Sequence, residues 1–261
     1  MTTTAQPRIH PVIRYQDAHR ALTWLEEAFG FQKQAVFEGP NGSVAHAEMS
    51  FGTGVIGFSS AQGVDPKNPW TLVREGIYVS LSDIDAHHDR AAAAGAEIAR
   101  SLRDEDYGSR DYSARDLDGH LWGFGTYQMI KDDREQPFVV GLHYQDAKAA
   151  LEWLSKAFGF QKTLEVPAND GRIFHAEMGL GGAPLFLDGG PKDEQIWGGH
   201  SQYVAVHVDD PDAHHARAAA AGAKVVTPLK TAEWGARGYC AQDFEGFIWN
   251  FSTYKPQGSG A

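Results

Sequence analysis

The sequence predicts an α+β fold of four βαβββ modules, two in each of two tandem copies. Three observations predict it. The segment from Tyr15, YQDAHRALTWLEEAFGFQK, returns from Tyr144 as YQDAKAALEWLSKAFGFQK, and VAHAEM at Val44 returns as IFHAEM at Ile173, both at an offset of 129. RAAAAGAEI from Arg90 and YGSRDYSARDLDGHLWGFGTY from Tyr107 return as RAAAAGAKV from Arg217 and WGARGYCAQDFEGFIWNFSTY from Trp234, now at an offset of 127. Each copy also alternates strand-like and helical periodicity twice, and internal repetition of this kind marks duplicated structural units.

The elements follow in order. Ile9–Tyr15 reads as a strand. Asp17 supplies an N-cap, Leu22, Leu25 and Phe29 place an apolar stripe on one helix face, and Gly30 is a left-handed C-cap. Strands are expected at 32–37, 44–51 and 54–59, with Pro40-Asn41-Gly42 as a turn between the first two. The second module repeats the plan, with a strand over 77–82, a helix from about Asp85 to Gly95, and strands near 97–102, 112–116 and 120–127. The copies span 8–128 and 137–255, joined by a polar linker at 129–136 and followed by a loose tail at 256–261. One module cannot bury a sheet face alone, so modules must pair. Closure of the two copies on each other within one chain is the expectation, with a homodimer as the alternative.

Apolar residues make up 42% and charged residues 22% of the 261 positions, which excludes bulk disorder. No run has the roughly 18 to 20 apolar residues of a membrane helix, and the N-terminal MTTTAQPR has no secretory apolar core, so a cytoplasmic protein is expected. The single cysteine, Cys240, cannot form an internal disulfide. A net charge of −11 argues against nucleic acid, whose phosphates require clustered Lys and Arg, and favours a cationic, neutral or aromatic small molecule.

Strand alternation assigns the faces. Ile9, Pro11, Ile13 and Tyr15 oppose His10, Val12 and Arg14; Ala45, Ala47, Met49 and Phe51 oppose Val44, His46, Glu48 and Ser50. Ile77, Val79 and Leu81 oppose Tyr78, Ser80 and Ser82, as Val204, Val206 and Val208 oppose Tyr203, Ala205 and His207. The apolar faces go under the helices. The polar sets, His10, Arg14, His46, Glu48 and Tyr78, then His143, His175, Glu177 and Tyr203, are left to line a concave surface.

Four βαβββ modules, with copies opening on strand–YQDA–helix–AFGF and closing on D-x-D/E-G-aromatic, resemble the vicinal oxygen chelate superfamily of glyoxalase I, bleomycin resistance proteins and extradiol dioxygenases. The resemblance implies sheets curled into half-barrels, helices on the convex side, and a ligand or metal site on the concave side. It also implies metal ligands on the first, fourth, fifth and eighth strands. The matching positions are His10, Gly57, Tyr78 and Gly123 in copy one, and Val139, Phe186, Tyr203 and Asn250 in copy two. Only His10 is an ordinary ligand, so neither a metal nor another cofactor is assigned.

The two HAE pairs, His46/Glu48 and His175/Glu177, are compatible with hydrogen-bonded wall pairs, with a general acid–base pair, or with an atypical chelate completed by His10 or His143. In the His87-His88 and His214-His215 doublets one imidazole is expected at the core and one in solvent, and Trp24, Trp122, Trp153 and Trp249 fall on apolar faces. The loop tryptophans Trp70, Trp197 and Trp234 are candidates to contact a flat ligand. Arg110 and Arg237 either clamp an anion or bridge acidic neighbours such as Asp116 and Asp243; Cys240 reads as inert. No catalytic residue is assigned. The expected function is metal-independent binding of a drug or secondary metabolite, of the bleomycin-resistance type. The alternative is a glyoxalase-like lyase or isomerase working through the HAE pairs.

Overall fold

The computed structural model describes residues 8–61, 65, 68–106, 108–115, 119–127, 138–191, 200–242 and 246–255. The expected linker and tail, together with Trp197, Asp116 and Asp243, lie outside them.

Copy one runs β1 (Arg8–Tyr15), α1 (Ala18–Phe29), β2 (Gln32–Glu38), β3 (Val44–Phe51), β4 (Gly54–Ser60), β5 (Glu75–Ser80), α2 (Ile84–Ala93), β6 (Glu97–Asp104), β7 (Arg110–Arg115) and β8 (Leu121–Gly125). Copy two runs β9 (Phe138–Tyr144), α3 (Ala147–Phe158), β10 (Gln161–Pro167), β11 (Ile173–Leu180), β12 (Ala183–Gly189), β13 (Gln202–His207), α4 (Pro211–Ala220), β14 (Lys224–Thr231), β15 (Arg237–Gln242) and β16 (Ile248–Ser252). Each copy forms one eight-stranded mixed sheet, ordered β2-β3-β4-β1-β5-β8-β7-β6 and β10-β11-β12-β9-β13-β16-β15-β14. This is the α+β tandem expected from the repeats. No helix among the described residues is long and apolar enough to cross a membrane.

The helix signals act as read. Asp17 accepts from the Arg20 amide, and Gly30 takes φ 79°, where a left-handed residue closes α1. Asp83 caps α2, so that helix begins at Ile84, one residue before the expected start. Asn41 in the Pro40–Gly42 turn also sits at positive φ (58°), which asparagine tolerates.

What the repeat cannot display is how the modules pair. One core joins the second module of copy one to the first module of copy two, through Val79, Trp122 and Phe124 against Leu142, Leu154 and Phe158. The other joins the outer modules, Ile13, Leu22 and Phe58 against Val206, Trp249 and Phe251. Helix α2 accordingly packs on α3 and α1 on α4. The arginines of the two RAAAAG motifs reinforce this reciprocally. Arg217 donates to the carbonyls of Glu27 (2.9 Å) and Glu26 (3.2 Å) at the end of α1. Arg90 brings its guanidinium against Gly159 at the end of α3. His87 bridges the Tyr112 hydroxyl (2.6 Å) and the Phe158 carbonyl (3.0 Å), and His214 lies 2.7 Å from the Tyr239 hydroxyl. These are the core members of their doublets.

Arg110 and Arg237 take the bridging alternative, Arg110 to Asp85 and Asp104 and Arg237 to Asp212. Two expectations are corrected. Val44 joins the core instead of the concave face, because register shifts between Phe37 and Glu38 on the partner strand break the alternation there. Tyr203 is not the counterpart of Tyr78. Ala205 lies opposite Val139 as Tyr78 lies opposite His10, so Ala205 holds the matching position and Tyr203 stands two residues away, opposite Gly141.

Because each core draws on both copies, the chain is expected to unfold as one unit. Trp122→Ala, which empties a fully buried site, should cost about 3–5 kcal/mol. Denaturant titration followed by circular dichroism and by tryptophan emission should then give one coincident transition, shifted to lower denaturant.

Candidate functional site

In copy one the concave face carries His10, the HAE pair and an indole. His10 is fully buried, its Nδ1 3.0 Å from the Val55 carbonyl, which makes Nδ1 the protonated nitrogen. Burial drives its pKa down to about 4, so the ring is neutral. Its Nε2 has no hydrogen-bond partner among the described residues. On β3, His46 Nε2 lies 3.2 Å from Glu48 Oε1, which also accepts the Tyr127 hydroxyl at 3.0 Å. The His46 bond, with help from Tyr127, holds the Glu48 carboxyl below its ordinary range despite partial burial.

Trp70 lies on the same face. Its indole lies over Gly76 and Gly123, where an added Cβ would come within 2.5 and 2.6 Å of ring carbons. Its Nε1 donates to Ser113 Oγ at 3.2 Å. Arg14 anchors the loop that carries Trp70, donating to the carbonyls of Trp70 (2.6 Å), Val73 (3.2 Å) and Ser60 (3.1 Å). Behind the indole the Tyr78 hydroxyl receives the Tyr127 amide at 3.2 Å and lies 3.5 Å from Asp111.

In copy two the same face encloses a cavity of about 730 Å³. Val139, Phe186 and Ala205 form an apolar patch on it, with Tyr203 and Tyr254 packed alongside. Trp234 and Phe174 stand on its wall with 68% and 57% of their surfaces exposed. The polar chemistry gathers on one side. His175 Nδ1 lies 3.2 Å from Asp188 Oδ1 and its Nε2 3.6 Å from Glu177 Oε1. Glu177 is fully buried and accepts the Tyr254 hydroxyl. Asp188 also binds the Tyr203 phenol, whose pKa is raised well above its ordinary value, first by burial and then by this carboxylate. Burial opposes a charge on His175, yet the two carboxylates outweigh it and lift its pKa to about 9. Asn250 donates to Cys240 Sγ at 3.1 Å.

Of the residues read from the sequence, His175, Tyr203, Trp234 and Asn250 line this cavity. Glu177 sits behind them as a buttress. His143 is among neither; it is buried, with Nε2 2.7 Å from the Gly190 carbonyl. Cys240, set aside as inert, is part of the lining, although burial raises its thiol pKa. Sequence reasoning missed Tyr127 and Tyr254, which tie the end of each copy to the HAE glutamate; the repeated FGTY and FSTY endings carried the signal. It also missed Asp188, whose counterpart in copy one is Ser59, so no repeat marks it.

The residues present do not fit the metal that the resemblance implies. The four matching positions supply one imidazole in copy one, and Val139, Phe186, Ala205 and Asn250 in copy two. Among the described residues no three His, Cys, Asp or Glu side chains converge as a metal site.

The stability effect of His175 has a definite sign. Its folded pKa stands above the ordinary 6.5, so its contribution is complete below about pH 6.5 and fades as pH rises through about 9. Wild-type stability should therefore fall across that window by on the order of 1–3 kcal/mol, and His175→Gln should flatten the profile in pH-resolved urea titrations.

The model of the Glyoxalase/Bleomycin resistance protein/Dioxygenase superfamily matches residues 8–124 and 138–251. A protein of Mycobacterium tuberculosis (strain ATCC 25618 / H37Rv), named only as uncharacterized, is 34% identical over 131 residues, covering 48% of this chain and 77% of that protein. Among solved structures, the 2,3-dioxygenase of Pseudomonas sp. KL28 superposes with a TM-score of 0.69 at 11% identity, over 100% of this chain and 96% of its own. The extradiol ring-cleaving dioxygenase of B. fuscum gives 0.70 at 12% identity, over 98% and 74%. The Mn(II)-bound glyoxalase of Novosphingobium aromaticivorans gives 0.64 at 15%, over 97% and 83%. At these identities the likeness is one of fold.

Proposed function

The chain belongs to the Glyoxalase/Bleomycin resistance protein/Dioxygenase superfamily, and we propose that within it this protein is a metal-independent binder of a small organic molecule, held in the copy-two cavity. The observation that carries the reading is the patch of Val139, Phe186 and Ala205, three side chains without a metal donor, on the wall of a 730 Å³ cavity. A space of that size with few polar groups suits a ligand of several rings, its apolar surface removed from water at about 25 cal/mol per Å². The flat faces of Trp234 and Phe174 favour an aromatic one. Among the described lining residues, Lys230, Lys255 and a protonated His175 face a single carboxylate, Asp188. The cavity therefore suits a neutral or acceptor-rich aromatic molecule better than the cation that the net charge of the whole chain suggests. Sequestration of a drug or secondary metabolite is the biological form of this reading.

One observation favours the enzymic alternative, a glyoxalase-like lyase or isomerase. His175 reaches the cavity in its cationic form and could serve as a general acid, backed by Asp188 and Glu177. Such an enzyme would lose turnover in His175→Gln while still binding its substrate.

The binding reading is tested by titrating aromatic antibiotics and metabolites against tryptophan emission, in EDTA. Binders should saturate at one per chain in the cavity. Ala205→Phe, which pushes a ring into it, should weaken them at least 30-fold, and Trp234→Ala should weaken them about 5- to 10-fold, the range expected for losing one aromatic contact. Binding that requires an added divalent metal, or that survives Ala205→Phe unchanged, overturns it.

A further inference from the structure

We propose that Trp70 is a built-in occupant of an aromatic-binding slot in copy one, and that this slot takes a flat bicyclic ring bearing a ring N–H when Trp70 leaves it. The proposal concerns the other half of the molecule and does not rest on the copy-two reading.

The slot is made by absence of side chains. Gly76 on β5 and Gly123 on the neighbouring β8 both sit mid-sheet, where glycine weakens a strand and marks a close approach by something else. Here the something else is the indole of Trp70, which a single methyl at either position would strike at 2.5 or 2.6 Å. One end of the slot is set by Ser113 Oγ, which accepts the indole N–H at 3.2 Å. The Tyr78 ring edge closes the side over Gly123. Across from Tyr78, on the same face, stands the fully buried His10, its Nε2 without a hydrogen-bond partner among the described residues.

Trp70 does not come from the sheet or from the core under the helices. It is carried on the short turn Pro69–Leu72, is still partly exposed, and is secured through its backbone by Arg14. An anchored arm that lays a flat ring into a preshaped groove on the ligand-facing side of a half-barrel is the arrangement of an internal ligand. In copy two the slot-forming positions are Tyr203, Asn250 and, for Ser113, Cys240. The same groove cannot form on that sheet, and its concave face is given over to the larger cavity.

The test uses indole as the probe, by calorimetry on the full chain. Trp70→Ala should bind one more indole per chain than wild type. Its added site should prefer indole over 1-methylindole by about 5- to 10-fold, the worth of one hydrogen bond of about 1 kcal/mol, and the preference should vanish in Trp70→Ala/Ser113→Ala. A folded Trp70→Ala with no extra equivalent, or with no preference for the ring N–H, overturns the proposal. Should Trp70→Ala fail to fold, Gly123→Ala decides instead. Its methyl should evict the indole, moving the Trp70 signal of the 5-fluorotryptophan-labelled chain to a solvent-exposed fluorine shift, with Trp70→Phe identifying that signal. An unmoved signal overturns the proposal as well.

Discussion

The structure depends on the packing of each copy's helices against the helices of the other. An eight-stranded sheet with two helices on one face leaves apolar surface that neither copy can cover alone. The two copies cover it for each other, module by module, so that Trp122 and Phe158, or Phe58 and Trp249, belong to one core although they come from different repeats. The C-termini of α1 and α3 are where this joint is made. Gly30 and Gly159 end these helices in the left-handed conformation and expose carbonyls, and the cationic Arg217 and Arg90 arrive there from the opposite copy. A cation at a helix C-terminus is favoured by the helix dipole as well as by the hydrogen bonds. The AFGF and RAAAAG motifs therefore recur together because each is the other's partner across the pseudo-twofold.

With the convex faces committed to that joint, the concave faces are free to diverge. The sheets share one strand order, yet the two surfaces differ in kind. Copy one has glycine at 76 and 123, an indole laid on them, and a neutral, buried His10. Copy two has Tyr203 and Asn250 at the same places, and a charged His175 between Asp188 and Glu177. Both keep the glutamate of the HAE motif tied to a closing tyrosine, Tyr127 in one and Tyr254 in the other. That tie joins the third strand of each copy to the segment after its last, and in copy two its tyrosine, Tyr254, is also part of the cavity wall.

Particular residues show what was legible. Asp17, Gly30 and the alternation of Ile77, Val79 and Leu81 against Tyr78 and Ser80 are local statements, decided by backbone conformation and by period, and they read correctly. The core assignment of Trp122 and Trp249 followed from the same alternation. The errors lie where a side chain's role depends on something distant in sequence. Arg14 alternates onto the concave face, but its guanidinium is spent on carbonyls up to 59 residues away. Tyr203 carries the same letter as Tyr78, but strand register pairs Tyr78 with His10 and Ala205 with Val139, the equivalence that the offset of 127 in this half of the repeat already implies. Asp188 has no repeat partner and no motif, and gains meaning only because β11 and β12 bring it beside His175.

The sequence by itself determined the duplication, the modules, the caps and the faces of the strands wherever no bulge interrupts them, because these follow from periodicity and from the conformational limits of individual residues. Only the tertiary structure decided which modules share a core, what each concave face carries, and how His10 and His175, both histidines on sheet faces, come to differ. One is stripped of water, and the pull of Glu48 is too weak to offset that, so it stays neutral; the other is flanked by two carboxylates and holds its proton. Burial and the placement of neighbouring charges are properties of the assembled sheet, and no local pattern of letters carries them.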